Sequence, residues 1–254
     1  SFTRHMYEYG TTNQQLAHVK AAQSMAASNN PRAYLKNRVS VQDVLESRWV
    51  LKPACHLLDC CLETDSSTCL IVTSAERARQ LRKRPAYIMG VCARVTKPFP
   101  DMHYQADPIT NSPGPYASRL LYGQAGVRAE DIQVTGAYDA FTFTPVFLLE
   151  DFGFCRKGEG GEYVSSGAIA LGGSRPNNTS GGQLCEGYSH GMSMIIENVR
   201  QLRGQADDYC PHWEDSIHTY DYSEAGCRQV KDVELTMSMG WGGLYSTSAL
   251  ILRR

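Results

Sequence analysis

From Thr11 to about Ala27, apolar residues recur at helical spacing, with Leu16, Val19, Ala22 (or Ala21) and Met25 on one face. Thr12 stands as the N-cap with Gln15 three residues on, and Asn29-Asn30-Pro31 ends the run. A second short helix is expected at 41–47, capped by Ser40, so that residues 1–60 read as a helical, polar subdomain. The pattern then changes. Ser67-Thr-Cys-Leu-Ile-Val-Thr-Ser74 has the character of a buried strand, Ala75 to Arg84 that of a basic helix, and Pro85 to Val95 that of another strand. Further on come a helix from about Tyr116 to Ala125 stopped by Gly126, a strand at 132–135, and a buried helix over 141–152 with Pro145 in its first turn. After a glycine-rich stretch (158–182), a helix is expected from about His190 to Leu202. Two strands, 233–239 and 244–252, follow around the turn Gly240-Trp-Gly-Gly243. Strands alternating with helices predict a layered α/β domain with a mixed central sheet over 61–254.

Composition narrows what such a domain can do. The 254 residues include 22 Gly and 11 Pro, with 42% hydrophobic and 20% charged, values that exclude a disordered, collagen-like or coiled-coil chain. The 25 basic residues balance 26 acidic ones, so the electrostatic footprint of a nucleic-acid binder is missing. No apolar stretch approaches the roughly 20 residues of a membrane-crossing helix. The chain opens Ser-Phe-Thr-Arg-His without a secretory segment, and its nine scattered cysteines fit reduced, mostly buried thiols, so a cytoplasmic protein is expected. No metal is expected either: Cys210, His212, His218 and Cys227 match none of the paired-ligand spacings of structural zinc.

Two glycine-flanked segments are where chemistry could sit: Thr135-Gly-Ala-Tyr-Asp-Ala-Phe-Thr142 and Ser180-Gly-Gly-Gln-Leu-Cys-Glu-Gly-Tyr-Ser-His-Gly-Met-Ser193. Each places a tyrosine, Tyr138 or Tyr188, at a junction leading into a helix, where outward backbone N–H groups could hold an anion. Gly158-Glu-Gly160-Gly161 has no Lys-Ser/Thr after it and is not a phosphate loop.

Read in order, several segments resemble the thiolase superfamily, and within it the sterol-carrier-protein-like thiolases, or lipid-transfer proteins. Tyr9-Gly-Thr-Thr followed by a helix and Asn30-Pro31 is similar to that family's loop domain. Asp59-Cys-Cys-Leu-Glu-Thr-Asp-Ser-Ser67 resembles the start of its C-terminal half, and Ala125-Gly-Val-Arg-Ala-Glu-Asp-Ile132 the approach to its first C-terminal active-site loop. Asn178-Thr-Ser-Gly-Gly-Gln-Leu-Cys-Glu-Gly-Tyr188 is similar to the Asn-x-x-Gly-Gly…Gly-His-Pro loop, and Gly240-Trp-Gly-Gly243 to the last glycine-rich turn. The resemblance covers nearly the whole chain outside about 205–230. It implies a thiolase-like layered fold, represented by the loop domain and the C-terminal half; the N-terminal half would lie further upstream or on another chain.

Departures from the family pattern redirect the chemistry. Tyr138 stands where the family has His or Asn, and Tyr188 where it has the His of Gly-His-Pro; near Ser238 the acid/base Cys is missing. Ordinary thiolysis is therefore not expected. A paired-tyrosine site resembles the aldolase branch of the lipid-transfer proteins. That implies retro-aldol cleavage of a β-hydroxy acyl-CoA on a steroid side chain, giving a 17-ketosteroid and propionyl-CoA. Tyr188 would take the hydroxyl proton and Tyr138 would serve the enolate, or the reverse. Because an ordinary phenol, pKa ~10, is about 3 units too weak to ionise at neutral pH, a relay is needed, and His190 is the candidate. Gly187 and Gly240 are candidate oxyanion or substrate-binding positions, and Lys20, Arg32, Lys36 and Arg38 candidate contacts for CoA phosphates. No cofactor beyond the CoA thioester of the substrate is implied. The implied partners are a second copy in a thiolase-like homodimer and a small OB-fold, acyl-CoA-associated protein. The competing readings are a non-catalytic acyl-CoA-binding or scaffold subunit, and an altered thiolase using His190 as base.

Overall fold

The computed structural model describes residues 1–96, 110–208, 210, 218–223 and 226–254. Helix α1 (Phe2–Tyr9), absent from the sequence reading, is pinned because His5 is buried against Thr11 and Glu150. Helix α2 (Asn13–Ser28) begins as expected, with a reciprocal capping box between Thr12 and Gln15, and α3 (Val41–Glu46) starts on the equivalent pair Ser40 and Asp43. A small hairpin, β1 (Trp49–Leu51) and β2 (Cys55–His56), follows.

Two expectations fail next. Residues 67–74 form no strand, and Ile71 and Val72 are 88% and 74% exposed. Their β-branched composition finds no partner strand among the described residues, and pairing resumes only at strand β3 (Tyr87–Thr96). The basic helix, α4 (Ala75–Arg79), ends well before Arg84 and buries nothing. Strand β3 itself lies where the sequence placed it.

The remaining expected elements hold, and two short helices form within and at the end of the stretch expected only to be glycine-rich. In chain order come α5 (Gly114–Ala125), closed by Gly126 in the left-handed conformation, β4 (Val134–Ala137), α6 (Phe143–Asp151), the two unexpected helices α7 (Gly160–Ser165) and α8 (Gly182–Cys185), α9 (Met192–Arg203), β5 (Leu235–Trp241) and β6 (Ser246–Arg253). The mixed sheet runs β3-β6-β5-β4, with β4 and β5 parallel and the other pairs antiparallel. Helices α5 and α6 cover one face and α9 the other. Helix α9 approaches closely because β4 carries Gly136, where a Cβ would meet that of Met194 at 2.9 Å.

The amphipathic reading of α2 is too narrow. The helix is enclosed by α3, α7 and α8, so Ala17, Gln23, Ser24, Ala26 and Ala27 are buried along with Leu16 and Val19. Lys20, expected on a solvated face, is 1% exposed and donates to Leu184 O at 2.6 Å. It braces α8 and is not available to a phosphate. Gly160 and Gly161 serve the same packing, since a Cβ at either would press on Glu150 or Gln15. One apolar core runs from Phe2 and Leu16 through Phe147 and Leu184 to Ile251, joining the N-terminal helices to the sheet.

Candidate active site

The parallel pairing of β4 with β5 places Ala137 beside Met239, so the chain just beyond each strand meets the other at one end of the sheet. Tyr138 leaves β4 at that point, next to Gly240, which is the geometry by which open α/β sheets gather functional groups at strand C-termini. Tyr188 arrives from the turn between α8 and α9. Their phenolic oxygens meet at 2.5 Å, and His190 Nε2 lies 3.5 Å from the Tyr188 oxygen. The three rings pack against one another. Tyr138 is buried, Tyr188 half-buried and His190 exposed, so the pair spans from core to solvent. His190 holds a left-handed backbone, φ 55°, an uncommon state for a residue with a side chain and one that gathers at functional sites.

Burial raises the Tyr138 phenol well above its ordinary pKa, helped by the hydrogen bond to Tyr188. Tyr138 therefore keeps its proton at neutral pH. The neighbouring Asp139 is fully buried, and burial pushes its carboxyl up to about 7 although the Gln183 and Leu184 N–H groups oppose this. Those two N–H groups donate to Asp139 at 3.0 and 3.3 Å, so the carboxylate next to Tyr138 holds the first turn of α8, which leads to Tyr188. Gly182, at φ 58°, is required there, because a Cβ would collide with the Asp139 carboxylate.

Asp139→Ala is expected to destabilise the fold by about 2–4 kcal/mol, since it leaves two buried donors unpaired. The pH dependence has a definite sign. A carboxyl raised from about 3.9 unfolded to about 7 folded binds its proton better in the native state, so its contribution is full below about pH 4 and lost as pH rises to about 7. The cost of the substitution, read from denaturant midpoints, should therefore be larger at pH 5 than at pH 8.

The N–H groups expected to point outward at the two tyrosines do not. Tyr138 N–H donates to Met239 O at 2.9 Å and Tyr188 N–H to Thr64 Oγ1 at 2.8 Å. The other positions divide between two openings. Gly240 lines a cavity of about 370 Å³ together with Tyr138, His190, Trp241 and Ser248. Gly187 instead lines a separate cleft of about 1160 Å³ with Arg32, Lys36, Thr64, Ser189 and Arg200. Arg38 is engaged with Ser28 and the Ser223 carbonyl. Ser238 is buried and accepts from Asn198. Among the described residues no group of three or more His, Cys, Asp or Glu side chains could hold a metal ion. His212 lies outside the described residues, while the Cys210 and Cys227 thiols donate to Asn29 O and Asp207. Also among the described residues, no helix is long and apolar enough to cross a membrane.

Residues 100–214 match the family described as thiolase C-terminal domain-like. The chain is 40% identical to 17-hydroxy-3-oxo-4-pregnene-20-carboxyl-CoA lyase of Mycobacterium tuberculosis over 207 residues, 79% of this chain and 53% of that protein. It is 38% identical to a steroid side-chain-cleaving aldolase of Thermomonospora curvata over 205 residues, 79% of this chain and 52% of that one. The chain thus spans about half the length of these curated relatives. Among solved structures it superimposes on an Ltp2-ChsH2(DUF35) aldolase with a TM-score of 0.83 at 33% identity, over 99% of this chain and 61% of that one.

Proposed function

Because the chain belongs to the thiolase superfamily, in its sterol-carrier-protein-like branch, we propose that it carries the proton-transfer site of a retro-aldolase acting on a β-hydroxy acyl-CoA with a steroid skeleton. The observation that carries this reading is the 2.5 Å contact between Tyr138 and Tyr188, where the family pattern would place imidazole or amide groups.

The reaction needs one proton removed and one delivered. Tyr188 first gives its own proton through His190 to water; the β-hydroxyl proton then leaves to the Tyr188 phenolate as the Cα–Cβ bond breaks, the carbinol carbon becomes the ketone, and the electron pair of the broken bond enters the thioester enolate. Tyr138, the member that keeps its proton, protonates Cα to give propionyl-CoA. The proton on Tyr188 then crosses to Tyr138 through their hydrogen bond, and the pair returns to its starting state. No covalent Cys intermediate and no cofactor enter this sequence. The CoA is part of the substrate, and Arg32 and Lys36 in the larger cleft supply positive charge for its phosphates. His190, on the solvent side of Tyr188, serves as the relay to water. A small protein partner belongs to the same reading, supported by the paired name of the Ltp2-ChsH2(DUF35) aldolase that the chain superimposes on; its OB fold and a second copy of this chain follow from the family resemblance.

The test is to incubate the full-length protein, alone and with its partner, with a β-hydroxy steroid acyl-CoA and follow both products by mass spectrometry. Ketone and propionyl-CoA should form in equal amounts, and the analogue lacking the hydroxyl should be inert. Binding of the acyl-CoA without cleavage, even in the complete assembly, would replace this reading with that of a non-catalytic subunit.

A further inference from the structure

Residues 59–66 run as a strap across both tyrosine-bearing loops. On the Tyr138 side, Cys61 N–H donates to Ala140 O at 2.9 Å, and Thr142 donates to Asp59 through its backbone N–H at 3.0 Å and its hydroxyl at 2.7 Å. Cys60 bridges Phe141 in antiparallel register. On the other side, Leu62 N–H donates to Gln183 O at 3.4 Å. The strap then encloses the peptide units of Tyr188. Thr64 Oγ1 accepts the Tyr188 N–H at 2.8 Å, while the Tyr188 carbonyl accepts from Ser66 Oγ at 3.1 Å and from Thr64 Oγ1 at 3.4 Å.

Among the described residues the Tyr188 N–H and carbonyl bond only to this strap, while the turn around them is tied at Glu186, whose carbonyl accepts from Tyr34 N–H at 3.1 Å, and at Gly191, whose N–H donates to Gln183 Oε1 at 3.0 Å. Gly187 just before it, at φ 154°, contributes no side chain, and His190 and Gly191 after it both hold positive φ. A tyrosine leaving such a turn would swing unless something fixed its peptide plane. The α8 turn behind it is held through Asp139, and that contact ends at Leu184.

We infer that Thr64, with Ser66, is a positioning residue: it fixes the backbone of Tyr188 so that the two phenols stay in hydrogen-bond contact, with the strap as the common ruler for both loops. The inference rests on the paired-tyrosine reading for its catalytic consequence and on the hydrogen bonds alone for its structural one. Thr64 touches no reacting atom. It acts through Tyr188, and displacement of a reacting group by about 1 Å is enough to slow chemistry about 100-fold.

The experiment compares Thr64→Val, which keeps shape and removes the hydroxyl, with Thr64→Ser, which keeps the hydroxyl, in the full-length protein. For Thr64→Val, kcat for ketone release should fall by about 10- to 100-fold with KM changed less than about threefold. Thr64→Ser should recover kcat to within about threefold of the parent. A second readout is independent of activity. Part of what raises the Tyr138 phenol is its bond to Tyr188, so ultraviolet-difference titration should show Tyr138 ionising at lower pH in Thr64→Val and at the parent pH in Thr64→Ser. Should Thr64→Val fail to fold, Ser66→Ala, which removes one of the donors to the Tyr188 carbonyl, should move both readouts the same way by less. An unmoved titration in the valine variant, or a serine variant as impaired as the valine one, would overturn the positioning role. If Tyr188→Phe proves fully active while the titration of Thr64→Val still moves, the strap stands and the retro-aldol reading falls.

Discussion

Tyr188→Phe in the full-length protein is expected to slow ketone release by about 10²- to 10⁴-fold, the range a positioned acid or base supplies, while acyl-CoA affinity changes little. The substitution removes a single oxygen from a half-buried ring. Its partner oxygen on Tyr138 can still meet water or His190, so the fold should keep its melting temperature to within a few degrees. Tyr138→Phe should cost a similar factor for a different reason: the enolate loses its proton donor and Tyr188 loses the hydrogen bond it receives. The two variants should be distinguishable. Burial keeps the Tyr138 phenol protonated well beyond neutral pH, so the donor is not exhausted on the alkaline side in the parent. In Tyr138→Phe, Cα must take its proton from solvent, so the propionyl-CoA deuterated at Cα in heavy water should lose the single configuration that delivery from one fixed phenol gives in the parent. The double variant should be scarcely slower than either single one, because groups passing one proton between them act as a unit. Activity in the double variant within about tenfold of the parent would end the paired-tyrosine mechanism.

What made this site legible in the sequence was its glycine pattern. Gly136, Gly181, Gly182 and Gly187 mark places where backbone must approach a helix, a carboxylate or a turn, and these places bracket the two tyrosines. Capping signals were equally informative, because Thr12-Gln15 and Ser40-Asp43 state their helix starts locally. What the sequence hid was tertiary. The apolar residues at 70–72 satisfy every local criterion of a buried strand, yet a strand exists only with a partner, and among the described residues none pairs with them. Lys20 reads as a candidate phosphate contact because no local pattern reveals that the Leu184 carbonyl of α8 takes its ammonium. Asp139 and Thr64 were missed as supports of the site for the same reason. Each acts on backbone groups 44 and 124 residues away, and a hydrogen bond to a distant main chain leaves no periodicity to read.

The second large effect is on stability, at a charge pair in the layer behind Tyr188. Arg228 and Glu197 are each 1% exposed, and Arg228 Nη1 donates to Glu197 Oε1 at 2.5 Å. Glu197 sits on α9 and also accepts from Thr179 Oγ1 at 3.0 Å, in the segment that precedes α8; the Arg228 N–H is held by Asp207 at 2.6 Å. The pair therefore ties the 226–229 segment to the helix that follows His190. Removing one partner of a buried pair strands the other, so Arg228→Ala should lower unfolding free energy by about 3–5 kcal/mol, read from denaturant midpoints. Replacing both by methionine should cost less, because the one charge that then loses its partner, Arg200, still reaches solvent. The acid dependence supplies the check. Burial pushes the Glu197 carboxyl up, but the Arg228 guanidinium, with Arg200 and the Thr179 hydroxyl, outweighs it and holds the group below its ordinary value. In the parent its contribution is present above the unfolded carboxylate pKa of about 4.3 and is lost as pH falls through the lower folded value. Without Arg228 the burial of Glu197 is opposed only by Arg200 and its neutral donors, so its carboxyl rises from the parent value and protonation relieves the under-compensated charge. The deficit of Arg228→Ala should accordingly shrink between pH 7 and pH 5; a deficit that grows on acidification, or one below about 1 kcal/mol at pH 7, would mean that the pair does not anchor α9.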